Sequence, residues 1–226
     1  MHEPRTAQHP AARPLPVPLL LAFLVLPCLI ELSLEAADAG WLATPRLRAT
    51  VYQNGAFWAG LLDNWRPNYE LQPATMFLTY SFLHAGFWHL AGNMIAFVLL
   101  IQLVRPGLEG WAFAGLYVAS AIGGALAYAL LGSAVQPVVG ASGALFGLAG
   151  AWKWQDWVRL RGPVLPVVLR DIAVLVALNA VIWVVQDGAL AWEAHLGGFV
   201  TGAAVMAALQ RWRRGPGATP GAREAQ

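Results

Sequence analysis

Four polar side chains in an otherwise apolar chain have the types that acyl chemistry needs: Ser142, His195, His89 and Asn93. Ser142 lies where a loop meets an apolar stretch, in Val139-Gly-Ala-Ser-Gly-Ala-Leu-Phe-Gly147. A serine hydroxyl attacks a carbonyl only when a base takes its proton and donors receive the charge that develops on oxygen. His195 is the imidazole suited to be that base. His89 and Asn93, spaced i and i+4, project together from one helix and donate hydrogen bonds without needing charge, which suits an oxyanion site. Gly140, Ala141 and Gly143 around Ser142 leave room for a substrate backbone and for free N–H groups at a helix start, where the dipole favours negative charge. Taken alone, G-x-S-G fits close packing of two membrane helices better than catalysis, so the histidines give the serine its meaning.

The elements that must hold these groups are membrane spans. The 226 residues are 58% apolar and 12% charged, with mean hydropathy +0.55, too little polar surface to cover a soluble globule of this size. Apolar runs at 15–36, 78–104, 111–131, 141–157, 167–186 and 191–210 predict an all-α, polytopic six-helix bundle over 15–210. The first run reads as a retained helix rather than a cleaved leader, because it exceeds a typical leader core and carries Pro27 and Glu31. Residues 37–74 hold Asp38, Arg46, Arg48, Asp63, Arg66 and Glu70 and cannot cross a bilayer. They form a long external loop between helices 1 and 2, whose Trp41, Phe57, Trp58 and Trp65 suit the membrane interface. Residues 1–14 and 211–226 read as disordered cytoplasmic tails. Every basic residue except Arg46, Arg48 and Arg66 falls on one side of this topology, which places that side and both termini in the cytoplasm.

Depth follows from topology at about 1.5 Å per helical residue across about 30 Å of hydrocarbon. Counted outward from Trp154, Ser142 lies roughly 12 Å below the outer surface. Counted from Arg211, His195 lies roughly 6 Å below it; from Arg105, Asn93 and His89 lie roughly 12 and 6 Å below it. Three helices therefore bring these groups to one slab of the outer leaflet, where unsatisfied polar groups are expensive. Two glycine stripes, Gly143, Gly147 and Gly150 on the fourth helix and Gly198 and Gly202 beside His195 on the sixth, predict close approach of those two helices. Glu193 lies on another face from His195, so the sequence predicts a Ser-His dyad with no orienting carboxylate.

Other polar residues carry less chemistry. His84 is expected to hold the external loop and to lie on a different face from His89. Asn179, Trp183 and Gln186 on the fifth helix are expected to be packing or interfacial groups. The lone Cys28 excludes an intrachain disulfide and a cysteine metal site, no H-E-x-x-H occurs, and no paired membrane aspartates exist. No metal, cofactor or nucleic-acid partner is expected. Ligation of a haem by His89 and His195 is a competing use of the same depth, without any cysteine attachment motif, and a catalytically silent helix-binding scaffold is another.

Taken with their order, Trp65-Arg66, His84-Ala-Gly-Phe-Trp-His89-Leu-Ala-Gly-Asn93, Gly140-Ala-Ser142-Gly143 and Ala194-His195-Leu-Gly-Gly198-Phe-Val-Thr-Gly202 resemble the rhomboid family of intramembrane serine proteases. The resemblance implies Ser142 as nucleophile, His195 as general base, and His89, Asn93 and the Ser142 N–H as the oxyanion hole, with His84 structural. It also implies substrates that are single-span or polytopic membrane proteins, cut near the outer leaflet. The chain is expected to reside in a bacterial inner membrane. Where the family often has a tyrosine stacked on the base, this chain has Phe146, and Trp65-Arg66 stands further from His84 than in some relatives.

Overall fold

The computed structural model describes residues 17–104, 108, 110–160, 164–185 and 190–214, and everything regular among them is helical. Helix α1 (Val17–Leu20) continues through a π-helical turn, Leu21–Val25, into α2 (Leu26–Asp38). The external loop is more ordered than its composition suggests. It contains α3 (Leu47–Gly55), a 3-10 turn at Ala59–Leu62, and α4 (Gln72–Thr79), which ends in a second 3-10 turn at Tyr80–Phe82. The span expected from 78 accordingly starts later, as α5 (Phe87–Val104), after the chain reverses at Gly86 with φ +102°. That conformation favours glycine, since L side chains rarely adopt it.

Helices α6 (Trp111–Leu131), α7 (Ser142–Arg159), α8 (Val164–Val185) and α9 (Trp192–Arg214) complete the bundle. Helix α9 runs past the expected boundary at 210. The tails at 1–14 and 215–226, and Gln186, lie outside the described residues. By length and apolarity, Phe87–Val104, Trp111–Leu131 and Val164–Ile182 are each able to cross a membrane. Helix α7 carries Lys153, Asp156 and Arg159 in its last turns, and these polar groups mark an end rather than the middle of a span.

The core lies where α6, α7 and α9 meet. A Cβ at Gly198 would overlap the Gly143 carbonyl, one at Gly202 the Gly147 carbonyl, and one at Gly150 the Phe199 carbonyl. The α7 and α9 backbones are therefore in direct contact, as the two glycine stripes predict. At the other side, Phe23 of the π turn meets Tyr117 in a tilted contact at 4.2 Å between ring centroids and also touches Phe97 and Phe113. That aromatic cluster joins the first helix to α5 and α6.

An ionic clamp closes the end of the bundle that carries the external loop. Arg48 of α3 bonds Glu31 Oε1 at 2.8 Å and Asp38 Oδ2 at 2.5 Å and lies 3.6 Å from Glu35. Burial alone would lower the guanidinium's pKa, but the hydrogen bonds it donates to Asp38 and Glu31 outweigh it and raise the value. The same carboxylates cap α5: Glu31 Oε1 accepts the Gly86 N–H at 2.9 Å and Glu35 Oε1 the Phe87 N–H at 3.1 Å. Anionic groups at a helix N-terminus satisfy donors that have no intrahelical partner and complement the dipole. Thus Glu31, the odd residue in an apolar run, is fully buried because it holds the loop and the start of α5 together.

Three outcomes follow. Gly202→Val should lower the thermal stability of the detergent-solubilised protein by about 1–3 kcal/mol or more, the usual cost of overpacking, because backbone rather than side chain would have to move. Arg48→Met should cost about 3–5 kcal/mol by leaving the buried Glu31 unpaired. Arg48→Met combined with Glu31→Leu should recover a good part of that loss in the same melting experiment.

Candidate active site

Ser142 is placed by what precedes it. Phe57 and Val138 exchange both backbone hydrogen bonds, at 3.0 and 2.9 Å, and the Gly140 N–H donates to the Tyr80 carbonyl at 3.0 Å. The segment before α7 is thereby stitched to the external loop. Gly140 then turns at φ +127°, a value that favours glycine, and α7 begins at Ser142 without a side-chain cap. The first intrahelical acceptor is the Ala141 carbonyl, taken by Leu145 N–H at 3.0 Å. The N–H groups of Ser142, Gly143 and Ala144 are consequently left without intrahelical partners, at the positive end of the helix dipole.

His195 is placed by the α7–α9 seam. It is 4% exposed, and its ring lies flat on Phe146, with centroids 4.2 Å apart and planes at 9°. Phe146 stands four residues after Ser142, on the same face of α7. The helix positions next to both groups also touch, since a Cβ at Gly143 would lie 3.4 Å from the Ala194 carbonyl. Serine and imidazole therefore belong to one contact surface. The side-chain hydrogen bond that His195 makes in this structure goes to another residue: Nδ1 meets Asn179 Oδ1 of α8 at 2.7 Å. Among the described residues, no hydrogen bond joins Ser142 Oγ to His195.

His89 faces the same place from α5. The Ala85 N–H donates to His89 Nδ1 at 3.3 Å, so in the neutral ring the proton resides on Nε2. The position of the missing Gly140 Cβ is 2.9 Å from His89 Nε2 and 3.7 Å from Ser142 Oγ. The absence of that carbon leaves space between a donor and the hydroxyl. Asn93, one turn along α5, is 7% exposed and donates Nδ2 to the His89 carbonyl at 2.8 Å. Its amide is thus partly engaged by its own helix, with a second N–H remaining.

Two expectations need correction. His84 does not lie apart from His89: the rings meet edge to face at 5.3 Å, and His84 is fully buried. The residue precedes α5 rather than belonging to it, so the reversal at Gly86, and not helical phase, decides where its ring goes. It is the His84 carbonyl that holds the external loop, accepting from Tyr52 at 2.6 Å and Arg48 at 3.2 Å. Asn179 is the second correction. It is not a packing group alone but the hydrogen-bond partner of His195, and its one sequence signal was an amide in an apolar span.

Comparison with known proteins identifies the family. The Rhomboid domain family model matches residues 71–212, from the start of α4 into the end of α9. The chain belongs to the rhomboid family. It is 33% identical over 124 residues to RHOMBOID-like protein 5 of Arabidopsis thaliana, covering 53% of this chain and 39% of that protein. It is 35% identical over 133 residues to Rhomboid protein 1, mitochondrial, of Saccharomyces cerevisiae, covering 54% of this chain and 38% of that protein. The chain thus spans about two fifths of the length of these curated relatives. No solved structure matches it. As a rhomboid it is an integral membrane protein with an all-helical bundle, in a family made up generally of serine proteases that act within the bilayer.

Gly140→Ala tests the site geometry in this rhomboid. The added carbon would fall 2.9 Å from His89 Nε2 and oppose the φ of +127°, a strain of order 1–3 kcal/mol. Melting should shift by that amount, and the His89 ring resonances should move while the Phe146–His195 contact persists.

Proposed function

We propose that this rhomboid is an intramembrane serine endopeptidase in which Ser142 attacks a peptide carbonyl of a membrane-spanning substrate. His195 takes the hydroxyl proton as the Oγ–C bond forms and returns it to the leaving amine as the peptide C–N bond breaks; water then hydrolyses the acyl-enzyme. The negative oxygen of the tetrahedral intermediate is received by His89 Nε2–H, the Asn93 amide and the unpartnered N–H of Ser142. His84 supports His89 from behind. Gly143 and Gly198 let the two helices approach, Gly140 keeps the oxyanion space open, and Phe146 fixes the plane of the base. The observation that carries the proposal is the stacking of His195 on Phe146, one turn from Ser142 on the same face of α7.

The topology proposed with it has six spans over 15–210, both termini in the cytoplasm of a bacterial cell, and the site opening outward. Substrates are single-span or polytopic proteins that unwind locally near the outer leaflet, which glycine or proline at the cut would ease. A helix-binding scaffold without catalysis is the second reading, favoured by the absence of a Ser142–His195 hydrogen bond among the described residues. Catalytic hydrogen bonds are often long before substrate binds, so labelling separates the two: a serine-reactive phosphonate should modify Ser142 in the enzyme and leave the scaffold untouched.

With a model single-span substrate in proteoliposomes, Ser142→Ala and His195→Ala should each reduce cleavage by about 10⁴-fold or more. Cleavage retained by either variant would remove the dyad.

A further inference from the structure

Asn179 sits on α8, the helix with least reason to hold a buried polar contact. Among the described residues of α8 only Asp171 is buried, and most of the remaining side chains are exposed. Among the described residues, two polar attachments join α8 to its neighbours. Toward one end, Asp171 accepts from Trp157 Nε1 at 3.2 Å and pairs with Lys153 at 3.3 Å, both on α7. Two turns further along, Asn179 meets His195 at 2.7 Å.

The orientation of the Asn179 amide is decided by its own helix. Its Nδ2 donates to the Leu175 carbonyl at 2.8 Å. A flipped amide would set oxygen against oxygen there, so Oδ1 is the atom that faces His195. A carbonyl oxygen only accepts, so His195 Nδ1 must carry a hydrogen. In the neutral ring the lone pair is then on Nε2. That is the tautomer a general base needs if it is to take a proton with Nε2, and a third group that holds the ring in it is the recurring companion of a serine–histidine pair.

We propose that Asn179 is a positioning residue for His195, holding the imidazole as the Nδ1–H tautomer so that Nε2 is free to receive the Ser142 proton. The constellation then spans α7, α9 and α8, with a neutral amide where a carboxylate often stands. It rests on the protease reading given above. Phe146 fixes the plane of the ring and Asn179 fixes which nitrogen bears the proton, two constraints that one contact could not supply. Since α8 offers little other buried surface, the tautomer of the base depends on α8 keeping its seat.

The test uses the full chain in lipid nanodiscs with ¹⁵N-labelled histidine, the His195 signals being assigned against His195→Gln. Long-range ¹H–¹⁵N spectra should show protonated Nδ1 in the wild type and a shift toward protonated Nε2 in Asn179→Leu, which keeps volume and removes the acceptor. Phosphonate labelling of Ser142 and kcat on the model substrate should both fall by about 10²-fold in Asn179→Leu, in the range seen when a ligand-orienting group is lost, with KM little changed. Asn179→Asp, which keeps an acceptor oxygen, should restore the Nδ1–H signal and most of the labelling. A wild-type tautomer spectrum and wild-type labelling in Asn179→Leu would overturn the assignment. Failure of wild-type protein to be labelled at Ser142 would instead defeat the protease reading, and the spectra would still decide the role of Asn179.

Discussion

The structure depends on a seam where α7 and α9 touch backbone to backbone. Gly198 and Gly202 stand against the carbonyls of Gly143 and Gly147, and Gly150 against that of Phe199, with no space for a Cβ between them. In hydrocarbon there is little hydrophobic drive to bring helices together, because lipid tails are as apolar as leucine; close packing must supply the attraction. The seam also has a positional consequence. Ser142 adjoins Gly143, and His195 precedes Gly198 by one turn, so the relative height and rotation of hydroxyl and imidazole are set by main-chain contact. Side chains with several rotamers would leave more slack than a candidate active site tolerates.

Around that seam the chain satisfies polar groups that the membrane would otherwise penalise. The start of α5 is capped by Glu31 and Glu35, which are neutralised in turn by Arg48. The loop before α7 is tied to Phe57 and Tyr80. These links converge on two helix N-termini, those of α5 and α7, which carry His89 and Ser142. The external loop is therefore more than a connection: it fixes the entry points of both helices, and donors left free at the start of α7 are available because nothing caps them.

Helix α8 follows a different rule. Among the described residues it is the most exposed of the long helices, and its polar attachments there are individual contacts at Asp171 and Asn179. Such contacts are directional and short in reach, so they specify where α8 sits while adding little buried area. A helix held this way moves at lower cost than α7 or α9, whose separation would open a continuous seam.

Much of this could be read from the chain alone. The apolar runs, the glycine stripes and the placement of Ser142, His195, His89 and Asn93 on facing spans follow from patterns local in sequence: hydrophobic length, a small residue each turn, and the rarity of polar groups in an apolar stretch. Helical phase was informative wherever the residues compared share one helix. It misplaced His84, which lies beyond a reversal at Gly86, and it was silent on Asn179 and on the partner of Glu31. Contacts of that kind join residues far apart in the chain, His195 to Asn179 and Arg48 to Glu31. Whether they form depends on the rotation and tilt of separate helices, which the packing of the whole bundle sets and no single segment encodes. The sequence by itself determined which polar groups the apolar spans carry and on which helices they stand. Only the tertiary structure decided which amide meets the imidazole, because a hydrogen bond of under 3 Å tolerates far less error in helix rotation than an apolar stripe does.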